Sequence, residues 1–210
     1  MSLDRKTLGV YVVTSAGLAP GRSHLDVASA ALEGGATAIQ LRAPELDDGK
    51  LEPLAAELAQ RCREAGVLFV VNDRIGVAVA VGAGAHVGQA DDPGRARELL
   101  GPSAVLGISV ESVPEALAAA SAGADYLGIT VWETSTKPDA RPQGLHRLRA
   151  VVDAVDLPVV AIGGVDAVNA AEVLRAGATG VAVVSLVGAA ADPVGATRHL
   201  AEVVRDTEDG

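Results

Sequence analysis

Short runs of Val, Ile and Leu alternate along the chain with longer runs rich in Ala, Leu and Glu. The short runs are apolar at consecutive positions, the pattern of strands covered on both faces, and the longer ones are amphipathic stretches that read as covering helices. Eight strands are predicted, at Gly9–Val13, Ala38–Leu41, Leu68–Asn72, Ala85–Gly88, Val105–Ser109, Tyr126–Ile129, Val159–Ile162 and Gly180–Val184. Helices are predicted between them, among them Leu25–Leu32, Leu51–Arg63, Val113–Ala122, Leu145–Val155 and Val168–Arg175. Gly recurs where a helix gives way to the next strand, in Gly34-Gly35-Ala36, Gly82-Ala83-Gly84-Ala85, Ala122-Gly123-Ala124 and Ala176-Gly177-Ala178. A left-handed Gly at such a junction stops a helix. Helix starts are marked as well: Ser112-Val113-Pro114-Glu115 reads as a capping box, and Asp166 as the cap of a run beginning at Ala167. Eight such units on short connections predict an α/β fold, a (β/α)8 TIM barrel, as one domain over residues 1–210 with a frayed polar tail at Asp206–Gly210. A doubly wound open sheet is the alternative, weakened by the strand count and by the lack of an early G-x-G-x-x-G.

Composition narrows the core and the partners. Hydrophobic residues make up 49% of the chain and aromatics only 2%, so Val, Leu, Ile and Ala must fill the interior. With 17 basic and 27 acidic residues the net charge is −10, and the basic ones are scattered, which argues against a nucleic-acid partner. Cys62 is the single cysteine, so no internal disulfide forms, and with no His beside it in sequence it reads as a structural residue. No basic-then-apolar leader opens the chain and no uninterrupted apolar run of about 18 residues occurs, so a cytoplasmic protein without a membrane partner is expected.

A parallel barrel carries its chemistry at the C-terminal ends of its strands. There the sequence places Gln40-Leu41-Arg42, Asn72-Asp73-Arg74, His86-Val87-Gly88-Gln89-Ala90-Asp91, Ser109, Thr134-Ser135-Thr136-Lys137, Gly163-Gly164 and Ser185. Gly163-Gly164 and Val184-Ser185 follow the last two strands, where backbone N–H groups and helix starts accept a phosphate; ordinary tight turns are the plain alternative. Asp73 and Asp91 end neighbouring strands and suit Mg2+, which takes a few carboxylates plus phosphate oxygens. Helix capping is the equal alternative for both, above all in Asp91-Asp92-Pro93. Arg42 and Lys137, the latter one of only three lysines with Lys6 and Lys50, would supply cations to a diphosphate. His86 reads as a packed, hydrogen-bonded strand residue rather than as a base.

In order along nearly the whole chain, Gln40-Leu41-Arg42, Asn72-Asp73-Arg74, His86 to Asp91, Thr134 to Lys137, Gln143-Gly144, Ile162-Gly163-Gly164 and Val184-Ser185 resemble the thiamine-phosphate synthases. The resemblance implies coupling of a hydroxymethylpyrimidine diphosphate to a thiazole phosphate, with Mg2+ as cofactor and these two small phosphorylated molecules as substrates. It implies that Gln40, Arg42, Asn72 and Lys137 hold the diphosphate and that Asp73 and Asp91 hold the metal. Ser109 would lie near the reacting pyrimidine and share the catalytic role with Lys137, while Thr134, Thr136, Gly164, Val184 and Ser185 would receive the thiazole phosphate.

Two departures stand out. The family usually has a Lys two residues after the strand-two Arg, where this chain has Pro44, and its strand-six loop usually has a Gly-Pro that is missing from Ile129-Thr130-Val131-Trp132-Glu133. In both the chain resembles the related thiazole tautomerases, which share the barrel and the thiazole-phosphate cup but isomerise a thiazole phosphate instead of coupling it. Those enzymes can carry a His where this chain has Glu111, a residue that could itself act as a base. A phosphate-ligand sensor without catalysis is a third reading, opposed by the presence of both carboxylates, Arg42 and Lys137.

Overall fold

A computed structural model describes residues 3–88, 92–133 and 141–207. Eight parallel strands, β1 (Val10–Val13), β2 (Ala38–Leu41), β3 (Leu68–Asn72), β4 (Gly84–Val87), β5 (Leu106–Ser109), β6 (Tyr126–Thr130), β7 (Val159–Ile162) and β8 (Gly180–Val183), pair in sequence order, and β8 pairs back onto β1 to close the ring. The covering helices are α2 (His24–Gly34), α3 (Asp48–Ala65), α4 (Ile75–Val81), α5 (Pro93–Leu100), α6 (Val113–Ser121), α7 (Gly144–Ala154), α8 (Ala170–Arg175) and α10 (Pro193–Asp206). Two four-residue helices are additions to the repeat: α1 (Arg5–Leu8) precedes β1, and α9 (Ser185–Gly188) follows β8. This is the (β/α)8 TIM barrel that the periodicity predicts.

Residues alternate between two apolar regions. Val10, Val12, Leu127, Ile129, Val159 and Ala161 point outward into the layer shared with the helices, whereas Tyr11, Val13, Ala38, Tyr126, Val160 and Ala182 fill the lumen. The same period of two turns Gln40, His86 and Ser109 toward the barrel axis. Gly35, Gly82, Gly123 and Gly177, the four predicted helix stops, all have positive φ. Cys62 is buried in the outer layer, and burial pushes its thiol up to about 12, so it stays a protonated apolar residue.

Two of the expected caps differ. Ser112 accepts a hydrogen bond from the Glu115 N–H, but Glu115 reaches back to the Glu111 N–H, so the box closes one residue early. Asp166 does not start a helix at Ala167. Its carboxylate accepts from the N–H groups of Val168 and Asn169, forming a turn, and α8 begins only at Ala170. An Asx turn satisfies those donors as well as a helix cap does, and it leaves the loop after β7 room to shape itself.

At the N-terminal face of the barrel, Arg97 is a staple. Its guanidinium donates to the carbonyls of Gly123, Gly101 and Ala104 and pairs with Asp125 at 2.6 Å, while Asp125 also accepts the Leu106 N–H. These bonds join α5, β5 and the entry to β6 far from the strand C-termini. Arg97→Ala should lower unfolding stability in urea by about 2–3 kcal/mol, because several carbonyls and a carboxylate lose a charged donor together. Activity per folded molecule should stay at the parental value; a matching loss in the folded fraction's activity would show that this face takes part in function.

Candidate active site

At the C-terminal rim the barrel opens into a cavity of about 670 Å³. Gln40, Arg42, Asn72, Ser109, Gly164, Val184 and Ser185 all line it, so residues spread over 146 positions of sequence, from 40 to 185 inclusive, meet in one place. Asp73 is not among the lining residues; it is exposed, next in sequence to Asn72, which is. Asp91, Thr134, Thr136 and Lys137 lie outside the described residues.

Gln40 is buried, with its amide Nε2 donating to the Tyr11 hydroxyl at 2.9 Å. Arg42, two residues on along the same face, stands nearer the mouth, and its backbone N–H reaches Thr14 Oγ1 at 3.4 Å. Asn72 donates to the Asp73 carboxylate at 2.6 Å. Asp73 has φ of 60°, the one positive φ on a non-glycine among the described residues. Its own N–H donates to the His86 carbonyl at 2.9 Å, which ties this strained turn to β4. Asp73 does not cap α4, which starts without a side-chain cap, and the cap of α5 is Asp92, which accepts from the Gly94 and Arg95 N–H groups.

Beneath these residues a chain of hydrogen bonds crosses the lumen. The Tyr11 and Tyr126 hydroxyls are hydrogen-bonded at 2.8 Å, Tyr126 meets His86 Nδ1 at 2.9 Å, and His86 Nε2 meets Ser109 Oγ at 2.9 Å. His86 is thus the packed, hydrogen-bonded residue its strand position predicts. Burial pushes the Tyr11 phenol up to about 12 and the Tyr126 phenol well above its ordinary value, so both stay protonated. The strands make room for this layer at Gly107 and Gly128. A Cβ at Gly107 would overlap Tyr126 and His86, and one at Gly128 would press on the His86 ring. The two tyrosines are site residues that the sequence reading misses; the strand-interior glycines Gly107 and Gly128 are the one signal beside them.

On the far arc of the rim, Gly163 and Gly164 take φ values of 88° and 62° in succession. A side chain at either would strike the Trp132–Glu133 segment, and Asn169 donates to the Gly164 carbonyl at 2.9 Å, so the pair forms a braced, side-chain-free wall. Val184 and Ser185 continue that wall into α9. The helix start expected after β7 is not there, since α8 begins six residues beyond Gly164. The short extra helix after β8 is the form that barrel phosphate sites take. Among the described lining residues Arg42 is the one Arg or Lys, against Glu111, Glu133 and Asp166.

The fold and the placement of its polar residues define a barrel enzyme with its cavity at the strand C-termini. Residues 10–187 match the family model described as thiamine monophosphate synthase. The chain is 50% identical over 204 residues to a thiamine-phosphate synthase of Chloroflexus aurantiacus, covering 95% of this chain and 94% of that one. It is 48% identical over 199 residues to the thiamine-phosphate synthase of Moorella thermoacetica, covering 93% and 95%. The solved thiamine phosphate pyrophosphorylase from Pyrococcus furiosus superposes with a TM-score of 0.89 at 42% identity, over 97% of this chain and 98% of that one. The chain belongs to the thiamine monophosphate synthase family. It is a transferase of that family, and the relatives support the synthase reading over the tautomerase.

Because Asn tolerates the left-handed backbone at least as well as Asp, Asp73→Asn removes a charge next to the lining residue Asn72 without changing the turn. Its unfolding free energy should stay within about 0.5 kcal/mol of the parent's by chemical denaturation. A larger loss would mean that the carboxylate holds the fold rather than serving the site.

Proposed function

We propose that the chain joins a hydroxymethylpyrimidine diphosphate to a thiazole phosphate, forming thiamine phosphate and releasing pyrophosphate. The observation that carries this reading is the convergence of Arg42, Asn72 and Ser109 with the Gly163-Gly164 and Val184-Ser185 wall on one cavity. Arg42 and Asn72 meet the diphosphate, with Gln40 closing the floor beneath them and Lys137 adding the second cation. The glycine wall, with Val184, Ser185, Thr134 and Thr136, receives the thiazole phosphate. Ser109 lies by the pyrimidine ring between the two.

The bond between the pyrimidine methylene carbon and the diphosphate oxygen breaks, and the thiazole nitrogen supplies the electron pair of the new C–N bond. Negative charge gathers on the departing diphosphate, so donors already in place at Arg42 and Asn72 lower the barrier without reorganising. Both substrates are polyanions entering a site whose described lining carries three carboxylates to one arginine. Further positive charge is required, which favours Mg2+ together with Lys137. The oxygen donors of Asp73 fit that ion, and Asp91 would be its second carboxylate. When bound, Mg2+ neutralises the leaving diphosphate. A cytoplasmic location belongs to the same reading, supported by the single Cys62, which needs no oxidising compartment.

Purified protein given both phosphorylated precursors and MgCl2 should form thiamine phosphate and pyrophosphate, and no product would refute the reading. Arg42→Ala should reduce kcat/KM for the pyrimidine diphosphate by about 10–100-fold, the equivalent of one charged contact. Pro44→Lys restores the cation usual in the family and should tighten diphosphate binding; weaker binding would show that the loop needs the fixed φ of Pro44.

A further inference from the structure

The hydrogen-bonded layer under the cavity has a direction. Gln40 Nε2 donates to the Tyr11 oxygen, and among the described contacts the Tyr126 hydroxyl is the one acceptor left for the buried Tyr11 proton, so that proton goes on to Tyr126. Tyr126 then accepts, and its proton goes to His86 Nδ1. With Nδ1 accepting, a neutral imidazole carries its proton on Nε2 and donates it to Ser109 Oγ. The Ser109 hydroxyl has one proton of its own, which is left to point into the cavity that Ser109 lines.

We propose that Tyr11, Tyr126 and His86 are positioning residues that form a one-way relay from Gln40 to Ser109, fixing the His86 tautomer so that Ser109 faces the substrate as a hydrogen-bond donor. The inference deepens the coupling reading, on which its substrate rests. Two independent features show that the layer is built rather than incidental. Gly107 and Gly128 interrupt β5 and β6, where a β-branched residue would make the better strand, and each is the residue whose Cβ would displace His86 or Tyr126. The chain also has only two tyrosines, and both stand in this lumen with their hydroxyls joined. No proton is gained or lost by the relay; it sets which partner donates.

A donor at Ser109 suits a pyrimidine ring nitrogen, which has a lone pair to offer, and such a bond fixes the ring while its methylene carbon changes partners. A hydroxyl free to rotate would spend part of its time as an acceptor and lose that hold. Because the bond acts on orientation, its loss should appear in turnover more than in binding.

The test pairs a spectrum with kinetics. In protein labelled with 15N-histidine, at about pH 8, above the ordinary His range, the His86 signals are identified by their disappearance in His86→Gln. They should show a protonated Nε2 and a bare Nδ1 in the parent, and a mixture of tautomers in Tyr126→Phe, which keeps the ring and removes only the hydroxyl. Tyr126→Phe should lower kcat for coupling about tenfold while KM for the pyrimidine diphosphate stays within about twofold. The double variant Tyr126→Phe/Ser109→Ala should be no slower than Ser109→Ala alone, the coupling expected of residues that act through one hydroxyl. A proton on Nδ1 in the parent, or parental turnover in Tyr126→Phe, overturns the relay. If the parent makes no thiamine phosphate, the coupling reading fails, and the spectrum still decides the relay by itself.

Discussion

Closure of eight parallel strands into one ring is the constraint from which the rest follows. Each strand has only four or five residues, and each pairs with the next in register until β8 meets β1. Because all run the same way, the last residue of every strand arrives at the same rim, whatever its place in the sequence. Ser109 on β5 and Arg42 just past β2 become neighbours of one cavity for that reason. At the opposite face Arg97 and Asp125 spend their charges on each other and on backbone groups that hold the layers together.

The narrow lumen sets the second condition. Eight strands leave space for side chains and little else, so two tyrosines and a histidine fit only where neighbouring strands carry no side chain at all. Gly107 and Gly128 weaken their strands and give that space. What is lost in strand packing is returned as a fully hydrogen-bonded polar layer, with no buried side-chain nitrogen or oxygen lacking a partner among the described residues. Such a layer is rigid when complete, which is what a cavity floor under a reacting ring requires.

Much of this was legible in the sequence. The bounds of β2, β3 and β7 agree with the apolar runs to the residue, and the glycine stops of four helices follow from the left-handed turn each must make. The rim residues were legible for the same reason: a polar side chain at the end of an apolar strand has few places to go. The lumen layer was not. Strands buried on both faces look alike at odd and even positions, so Val12 and Val13 give no hint of which one points inward. Only polar residues such as Gln40, His86 and Ser109 reveal the parity, and Tyr11 and Tyr126 pass for ordinary core aromatics until the ring is closed. Asp166 misled because a carboxylate before a helix closes a turn with the same donors it would use as a cap.

Catalysis at this rim depends on where the diphosphate sits. A crystal structure of the protein grown with pyrophosphate and Mg2+ should show the anion against Arg42 and Asn72, with Asp73 among the residues that hold the metal. Pyrophosphate bound instead at the Gly163-Gly164 wall, or at the barrel's opposite face near Arg5, with Arg42 and Asn72 bare, would contradict it.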